Sequence, residues 1–132
     1  MERFRPNSAE PYEDHHSFSG ASPLRGKGSG GMNVLLIGGA GYLGGALAPQ
    51  LLAAGHRVTV FDSLSFGSKA VDQLRNHDLF RLVAGDMRDI SAVAEAMRDQ
   101  QAVILLAALV GEAACDRDPV ETAAINYLAT LN

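Results

Sequence analysis

Apolar positions after residue 32 follow two alternating patterns along the chain. Short runs rich in aliphatic and β-branched residues occur at 34–37, 57–61, 79–84 and 102–107. Such runs are typical of strands that are buried on both faces of a sheet. Between the first two runs, apolar residues recur on one helix face, and Gly55 stands where a helix would end. The alternation predicts a β-α-β-α-β-α-β-α order.

Capping residues and prolines define the other predicted helices. A short, weak helix is expected at 69–76, and Asp89 is suited to cap the helix after the third strand. Asp118 and Pro119 are suited to begin the last helix. Pro49 falls inside the first helix, where we expect a local kink rather than a break. The residues that line the apolar side of the last helix are Ala124, Ile125, Leu128 and Leu131.

The first 31 residues differ in composition from the rest of the 132-residue chain. They contain five Ser, five Gly and three Pro with no helical or strand period. We therefore expect residues 1–31 to be a disordered extension that ends in a flexible linker, and residues 32–132 to fold. The pair His15 and His16 could contact a metal, but no further ligand has suitable spacing, which favours a solvated tail and no metal site.

Charge and cysteine content narrow the classes of partner. The formal net charge is −4, and no basic patch points to nucleic acid. No apolar run has the length of a membrane span, and the N-terminus has no apolar signal region. The single cysteine, Cys115, fits a reducing compartment. We expect a cytoplasmic protein that binds neither nucleic acid nor membrane.

Three glycines follow the first strand at a spacing of three. Gly38, Gly41 and Gly44 lie between the strand 34–37 and the first helix. A dinucleotide pyrophosphate is a dianion, which needs backbone N–H groups and the positive end of a helix dipole. In such a loop the first glycine permits the turn, the second permits close approach, and the third permits packing of the helix. The alternative is a glycine-rich turn in another α/β fold.

Asp62 follows at the end of the second strand. A carboxylate at this place can accept hydrogen bonds from both ribose hydroxyls and would repel a 2′-phosphate, which favours NAD over NADP. Asp62 could also be an ordinary exposed turn residue. Together the patterns predict an α/β fold, a Rossmann-type parallel sheet in the order 3-2-1-4 with helices on both faces. The chain ends after the fourth strand and its following helix.

Five segments in series resemble the NAD-dependent epimerase/dehydratase family, the extended short-chain dehydrogenases, many of which act on nucleotide sugars. The segments are GGAGYLGG, VFDSLSFGS, AGDMRD, VILLAALVG and DPVETAAINYLATLN, and the resemblance covers essentially all of residues 33–132. The resemblance implies NAD as cofactor and a nucleotide sugar as substrate of the full-length family. The cofactor-binding residues that it and the glycine motif indicate are Gly38, Gly41, Tyr42, Leu43, Gly44, Asp62, Ser63, Leu64, Ser65, Gly67, Asp86, Met87, Ala107, Ala108, Leu109 and Asn126.

The resemblance also implies a role for each group of these residues. The N–H groups around Gly41 would hold the pyrophosphate, and the segment 63–67 would wrap the adenosine ribose. Asp86 and Met87 would flank the adenine, and residues 107–109 would line the trough near the nicotinamide ribose. Asn126 matches an Asn that lies near the cofactor in the family. The departures are Ser63 in place of a frequent Asn, Leu105 in place of a common His, and Ala129 in place of Gly.

Simpler interpretations stand beside these roles. Asp86 could belong only to a helix-capping loop, and Asn126 could be an exposed helix residue. We expect the Tyr42 side chain to pack within the loop. Cys115 has no nearby histidine in sequence, and we expect it to be structural rather than a nucleophile.

Hydride chemistry in this family depends on a Tyr-x-x-x-Lys pair and a preceding Ser or Thr, and the chain contains no such pair. The residues four positions after its three tyrosines are His16, Ala46 and Leu131. We therefore expect a cofactor-binding portion that is inactive by itself, the alternative being a non-catalytic dinucleotide-binding or interaction module. We also expect the fourth strand to keep an apolar, unpaired edge through which copies of the chain associate.

Overall fold

The computed structural model describes residues 30–131. Most of the predicted disordered extension, including His15 and His16, lies outside these residues. The strands form one parallel sheet in the order β3-β2-β1-β4, which confirms the predicted order. The strands are β1 (Asn33–Ile37), β2 (Arg57–Asp62), β3 (Phe80–Ala84) and β4 (Ala102–Leu105). The helices are α1 (Tyr42–Ala53), α2 (Ile90–Ala96), α3 (Glu112–Arg117) and α4 (Pro119–Asn126).

Strand β1 lies at the centre because both neighbouring strands pair with it in parallel. Its residues Val34, Leu35 and Leu36 are almost fully buried, as expected for a continuous apolar strand between two layers of helix. Alternate residues pack on opposite faces of the sheet. Val34 and Leu36 belong to one core cluster, and Leu35 and Ile37 belong to a second.

Helices cover both faces of the sheet, as the sequence predicts. Helix α1 contributes Ala48 and Leu52 to the first cluster. Helix α2 packs Ala92, Val93 and Ala96 against the second. The four strands therefore hold their carboxyl ends at one edge of a sheet that is fixed from both sides.

Helix termini follow the predicted capping signals. Gly55 adopts a φ of +86°, and its N–H donates to the Leu52 carbonyl while the N–H of His56 donates to that of Leu51. This pair of bonds is a Schellman motif, which a glycine in this conformation favours. The Asp89 carboxylate accepts from two N–H groups of α2, and that of Asp118 accepts from one of α4. Helix α1 continues through Pro49 without a break.

Three elements differ from the sequence predictions. The helix expected at 69–76 is a single 3₁₀ turn, Asp72–Leu74, in which Leu74 is buried together with the adjacent Val71. The last helix ends at Asn126 and is followed by a second 3₁₀ turn, Leu128–Thr130. Helix α3 was not predicted, because its six residues show no apolar period that would indicate a helix.

Strand β4 is shorter than predicted and partly uncovered. It ends at Leu105, because the N–H groups of Leu106 and Ala107 both donate to the carbonyl of Ile37 and so leave the regular ladder. Within residues 30–131, β4 pairs only with β1. The side chains of Val103 and Leu105 are 42% and 43% exposed. No helix among the described residues is long and apolar enough to cross a membrane.

Candidate functional site

The candidate site lies at the carboxyl ends of the four strands. In a parallel sheet these ends share one edge, and ligands of open α/β sheets bind outside this edge. The Gly38 N–H donates to the Phe61 carbonyl at 2.8 Å, and the Gly85 N–H donates to the Asp62 carbonyl at 2.9 Å. The loops after β1 and β3 are therefore both tied to β2, and the segments that carry most of the predicted site residues are brought to one edge.

The structure requires glycine at position 38 for two reasons. Its φ is +78°, a conformation that residues with a side chain rarely adopt. A Cβ at this position would also lie 2.4 Å from the Cα and the nitrogen of Ala107. The first glycine of the motif thus allows the turn after β1 and brings the loop after β4 against it.

Gly44 is required by packing alone. A Cβ there would lie 2.0 Å from the carbonyl oxygen of Gly39. Helix α1 consequently rests directly on the backbone of the turn that follows β1. This contact sets the direction in which the beginning of α1 points.

Gly41 differs from both, because nothing in the described chain requires glycine there. Its backbone is extended, with φ −81° and ψ −173°, which any residue can adopt. A Cβ would meet no atom nearer than the Gly38 carbonyl oxygen at 3.7 Å. A side chain at Gly41 would therefore project into open space beside the first turn of α1.

The beginning of α1 has no capping side chain. Gly41 supplies no side-chain hydrogen bond, and the first turn of α1 contains no acidic residue. The first N–H groups of a helix have no partner inside the helix, and they carry the positive end of its dipole. The 12-residue helix α1 thus begins with free N–H groups beside an open space.

The side chain of Tyr42 does not pack within the loop as expected. It is 90% exposed, and that of Leu43 is 63% exposed. Both residues lie in the first turn of α1, where their side chains project outward. Any contribution of these two residues to anion binding would therefore come from their N–H groups.

The Asp62 carboxylate joins two loops. One oxygen accepts from the N–H of Ala40 at 3.0 Å, and the other accepts from the N–H of Leu64 at 2.8 Å. An ionised carboxylate has about four lone-pair positions, so each oxygen keeps capacity for a further donor. Asp62 is more than an exposed turn residue, because it holds the glycine loop against the loop after β2.

The segment after Asp62 forms a compact turn. Leu64 has a φ of +58°, and Gly67 has a φ of +82° and donates its N–H to the Leu64 carbonyl at 2.8 Å. The hydroxyls of Ser63 and Ser65 are 2.9 Å apart. At the tip of the turn, Phe66 is 90% exposed, a feature that the sequence pattern did not single out.

Asp86 is paired with a basic residue that the sequence analysis missed. The Arg88 guanidinium donates to both Asp86 oxygens, and the Arg88 N–H donates to one of them. These hydrogen bonds from Arg88 lower the pKa of the Asp86 carboxyl. Arg88 also contacts Glu121 of α4 at 3.4 Å. The spacing Asp-x-Arg was the available signal. Capping of α2 falls to Asp89 rather than Asp86.

Met87 and Ala107 pack against the second core cluster, whereas Ala108 is exposed. The Asn126 side chain pairs with the backbone of Leu109. Its Oδ1 accepts from the Leu109 N–H at 2.8 Å, and its Nδ2 donates to the Leu109 carbonyl at 2.7 Å. Asn126 is therefore not a free surface residue, although it lies on an exposed helix.

No group of three or more His, Cys, Asp and Glu side chains within residues 30–131 could hold a metal ion. Cys115 is half-buried, and its thiol lies 3.5 Å from the Leu109 carbonyl oxygen. The described part thus presents a helix terminus, an acidic residue and three loops at one sheet edge.

These features define a Rossmann-type domain with a glycine loop at its first βα turn. The sequence of residues 34–132 matches the NAD dependent epimerase/dehydratase family. The chain belongs to this family, which confirms the resemblance seen in its motifs.

Curated relatives and solved structures agree with this assignment. UDP-glucose 4-epimerase from Rhizobium meliloti (strain 1021) is 32% identical over 105 residues, which cover 75% of this chain and 29% of that protein. UDP-glucose 4-epimerase from Klebsiella pneumoniae is 32% identical over 108 residues, 76% of each chain. The crystal structure of Thermus thermophilus UDP-glucose 4-epimerase in complex with NAD shares 31% identity and a TM-score of 0.64, covering 76% of this chain and 32% of that one. The chain thus spans about a third of the length of most of these relatives.

Proposed function

We propose that the chain is the NAD-binding portion of a nucleotide-sugar epimerase or dehydratase-like oxidoreductase. The observation that carries this proposal is the open space beside Gly41, at the beginning of α1, where no side chain caps the helix. The fold itself requires glycine at positions 38 and 44, whereas at position 41 the absence of a side chain leaves room for a ligand. An anion at this place would accept hydrogen bonds from N–H groups and would be stabilised by the positive end of the helix dipole.

A pyrophosphate would occupy the space beside Gly41, held by the N–H groups of residues 41–44. The two free lone-pair positions of Asp62 would accept from the adenosine ribose hydroxyls, with Ser63, Leu64, Ser65 and Gly67 around them. The negative charge of Asp62 supports NAD over NADP, since a 2′-phosphate would lie against a carboxylate. When bound, NAD supplies the hydride-accepting nicotinamide.

The remaining predicted residues would form the two ends of the cofactor site. Asp86 would accept a hydrogen bond from the adenine amine only through carboxylate lone pairs that do not already accept from Arg88. Met87 would contact the adenine ring. Residues 107–109 would line the nicotinamide ribose. The close approach of Ala107 to Gly38 supports this placement, because it brings the loop after β4 beside the glycine loop.

The experiment that tests the proposed function is a calorimetric titration of the purified chain with NAD and, separately, with NADP. We expect saturable binding of NAD and weaker binding of NADP. A matched variant, Asp78→Asn, removes one exposed carboxylate away from the site and should leave NAD affinity unchanged. The absence of both binding heat and a thermal shift at millimolar NAD would exclude a working cofactor site in these residues.

We further propose that residues 1–132 by themselves carry no catalytic step. The reason is chemical, since a Tyr-x-x-x-Lys pair is needed to move the substrate proton and the sequence has none. We expect no conversion of UDP-glucose to UDP-galactose in an assay supplemented with NAD. Conversion above background that Asp62→Arg abolishes would contradict this expectation.

The partly uncovered β4 supports a second proposal, that copies of the chain associate. Val103 and Leu105 project from the same face and expose apolar surface beside a strand edge that is unpaired within residues 30–131. We expect an average mass above that of one chain in sedimentation at high protein concentration. Leu105→Lys should shift the distribution toward monomer, whereas Leu43→Lys, a change at an exposed position of α1, should not. A monomer at every concentration would disprove association.

A further inference from the structure

We propose that Asn126 is a positioning residue that acts on the cofactor site through the backbone of Leu109. This inference rests on the proposed NAD site, and it replaces direct contact between Asn126 and the cofactor. The carboxamide of Asn126 makes both of its hydrogen bonds to one residue, at 2.8 Å to the N–H and at 2.7 Å to the carbonyl of Leu109.

The geometry of this pairing explains why an amide is suited to position 126. Within one residue of an extended chain, the N–H and the C=O point to the same side, and a residue of an antiparallel strand pairs with both. The Asn126 side chain presents one donor and one acceptor in a plane and so takes the place of such a strand residue. Only one orientation of the amide satisfies both Leu109 groups, which fixes the side chain.

The loop after β4 depends on this pairing for its position. At its beginning the loop is tied to β1 by the N–H groups of Leu106 and Ala107. Beyond Ala107, the described hydrogen bonds to Leu109 come from Asn126 and from the thiol of Cys115 at 3.5 Å. Asn126 lies at the end of α4, 17 residues further along the chain. Asn126 therefore links α4 to a loop that would line the nicotinamide ribose.

This arrangement predicts different pH dependences of NAD affinity for two substitutions of Asn126. Asn126→Ala removes both bonds, and we expect NAD to bind about ten-fold more weakly at every pH. Asn126→Asp keeps the acceptor for the Leu109 N–H but places a second oxygen against the Leu109 carbonyl. The ionised form should therefore bind NAD weakly, while the protonated form, which can donate to that carbonyl, should recover.

The sign of the pH dependence follows from this contact. The Leu109 carbonyl accepts a hydrogen bond only from the protonated carboxyl, so pairing with both Leu109 groups is present at low pH and lost as pH rises. Other charged or titratable groups near α4 are the Cys115 thiol, Asp118, and Glu121 with its partner Arg88. The wild type carries all of them, and the ratio of variant to wild-type affinity at each pH removes their contribution.

The test is NAD titration of the wild type, Asn126→Ala, Asn126→Asp and the control Asn76→Asp between pH 8 and pH 4, a range that approaches the ordinary aspartate pKa of about 3.9. Asn76 is exposed beside the first 3₁₀ turn, and its substitution should leave affinity unchanged. Hydrogen exchange of the Leu109 amide without NAD provides a second measurement, and we expect protection that Asn126→Ala removes.

The possible outcomes separate this inference from the proposed function. Recovery of NAD affinity at low pH in Asn126→Asp alone, with loss at every pH in Asn126→Ala, would support positioning through Leu109. Wild-type affinity in both variants would overturn the inference and leave the NAD site standing. A pH-independent loss in Asn126→Asp would overturn it as well. If the wild type does not bind NAD, both the inference and the proposed function are wrong.

Discussion

Gly41→Val is expected to weaken NAD binding by at least about 100-fold while leaving the chain folded. The Val side chain would fill the space beside the first turn of α1, where the pyrophosphate is proposed to lie. Apart from the adjacent residues, the nearest described atom to the first added carbon is the Gly38 carbonyl oxygen at 3.7 Å, and the backbone conformation is an ordinary extended one. The substitution should lower the free energy of unfolding by about 1 kcal/mol, the usual effect of a poorer residue before a helix.

Two controls separate lost binding from lost folding. Ala46→Val adds the same kind of bulk to an exposed position of α1, away from its beginning, and should leave NAD affinity unchanged. Gly38→Val should instead unfold the chain, because it places a Cβ 2.4 Å from the Ala107 backbone at a φ of +78°. Calorimetric titration and thermal melting of the three variants check the prediction. Retained NAD affinity in Gly41→Val would refute the placement of the pyrophosphate.

Asp62→Arg is expected to reduce NAD affinity by about 100-fold without producing equally strong NADP binding. The positive side chain could attract a 2′-phosphate, but Asp62 also accepts from the N–H groups of Ala40 and Leu64. Hydrogen bonds to a charged group contribute about 1.5–3 kcal/mol each, so their loss would release both loops. We therefore expect that reversing the cofactor preference requires changes beyond Asp62.

Asp62→Asn serves as the matched variant for this second prediction. It keeps the size of the side chain and one acceptor oxygen, but its NH₂ group opposes one of the two backbone donors. We expect an intermediate NAD affinity and faster hydrogen exchange at the Ala40 or Leu64 amide. Binding of NADP by Asp62→Arg as tight as that of NAD by the wild type would show that Asp62 does not hold the loops.

The sheet order and the motif glycines were predictable because each depends on local pattern. Four short apolar runs separated by helical segments leave few right-handed arrangements, and the observed order is one of them. The positive φ of Gly38 and the close packing of Gly44 follow from a strand that turns directly into a helix. Gly41 has a different role in the motif, close approach of the ligand, and its surroundings show that the described fold does not itself require glycine there.

The side-chain partnerships could not be predicted from the sequence. Asp62 and Ala40 are 22 residues apart, and Asn126 and Leu109 are 17 residues apart. Such pairs depend on how far each strand extends before its loop begins. The pairing of Arg88 with Asp86 competes with the predicted adenine contact, and the Asp-x-Arg spacing permits this pairing but does not establish it. The outward side chain of Tyr42 likewise depends on where α1 begins.

Backbone amide chemical shifts of the ¹⁵N-labelled chain during NAD titration test the central claim most directly. The amides of Gly41, Tyr42 and Leu43 should show saturable shifts, together with those of the turn 63–67. The amide of Gly55, at the opposite end of α1, should stay in place. Absence of shifts at residues 41–43 with millimolar NAD, or shifts confined to other parts of the chain, would contradict an NAD site at the beginning of α1.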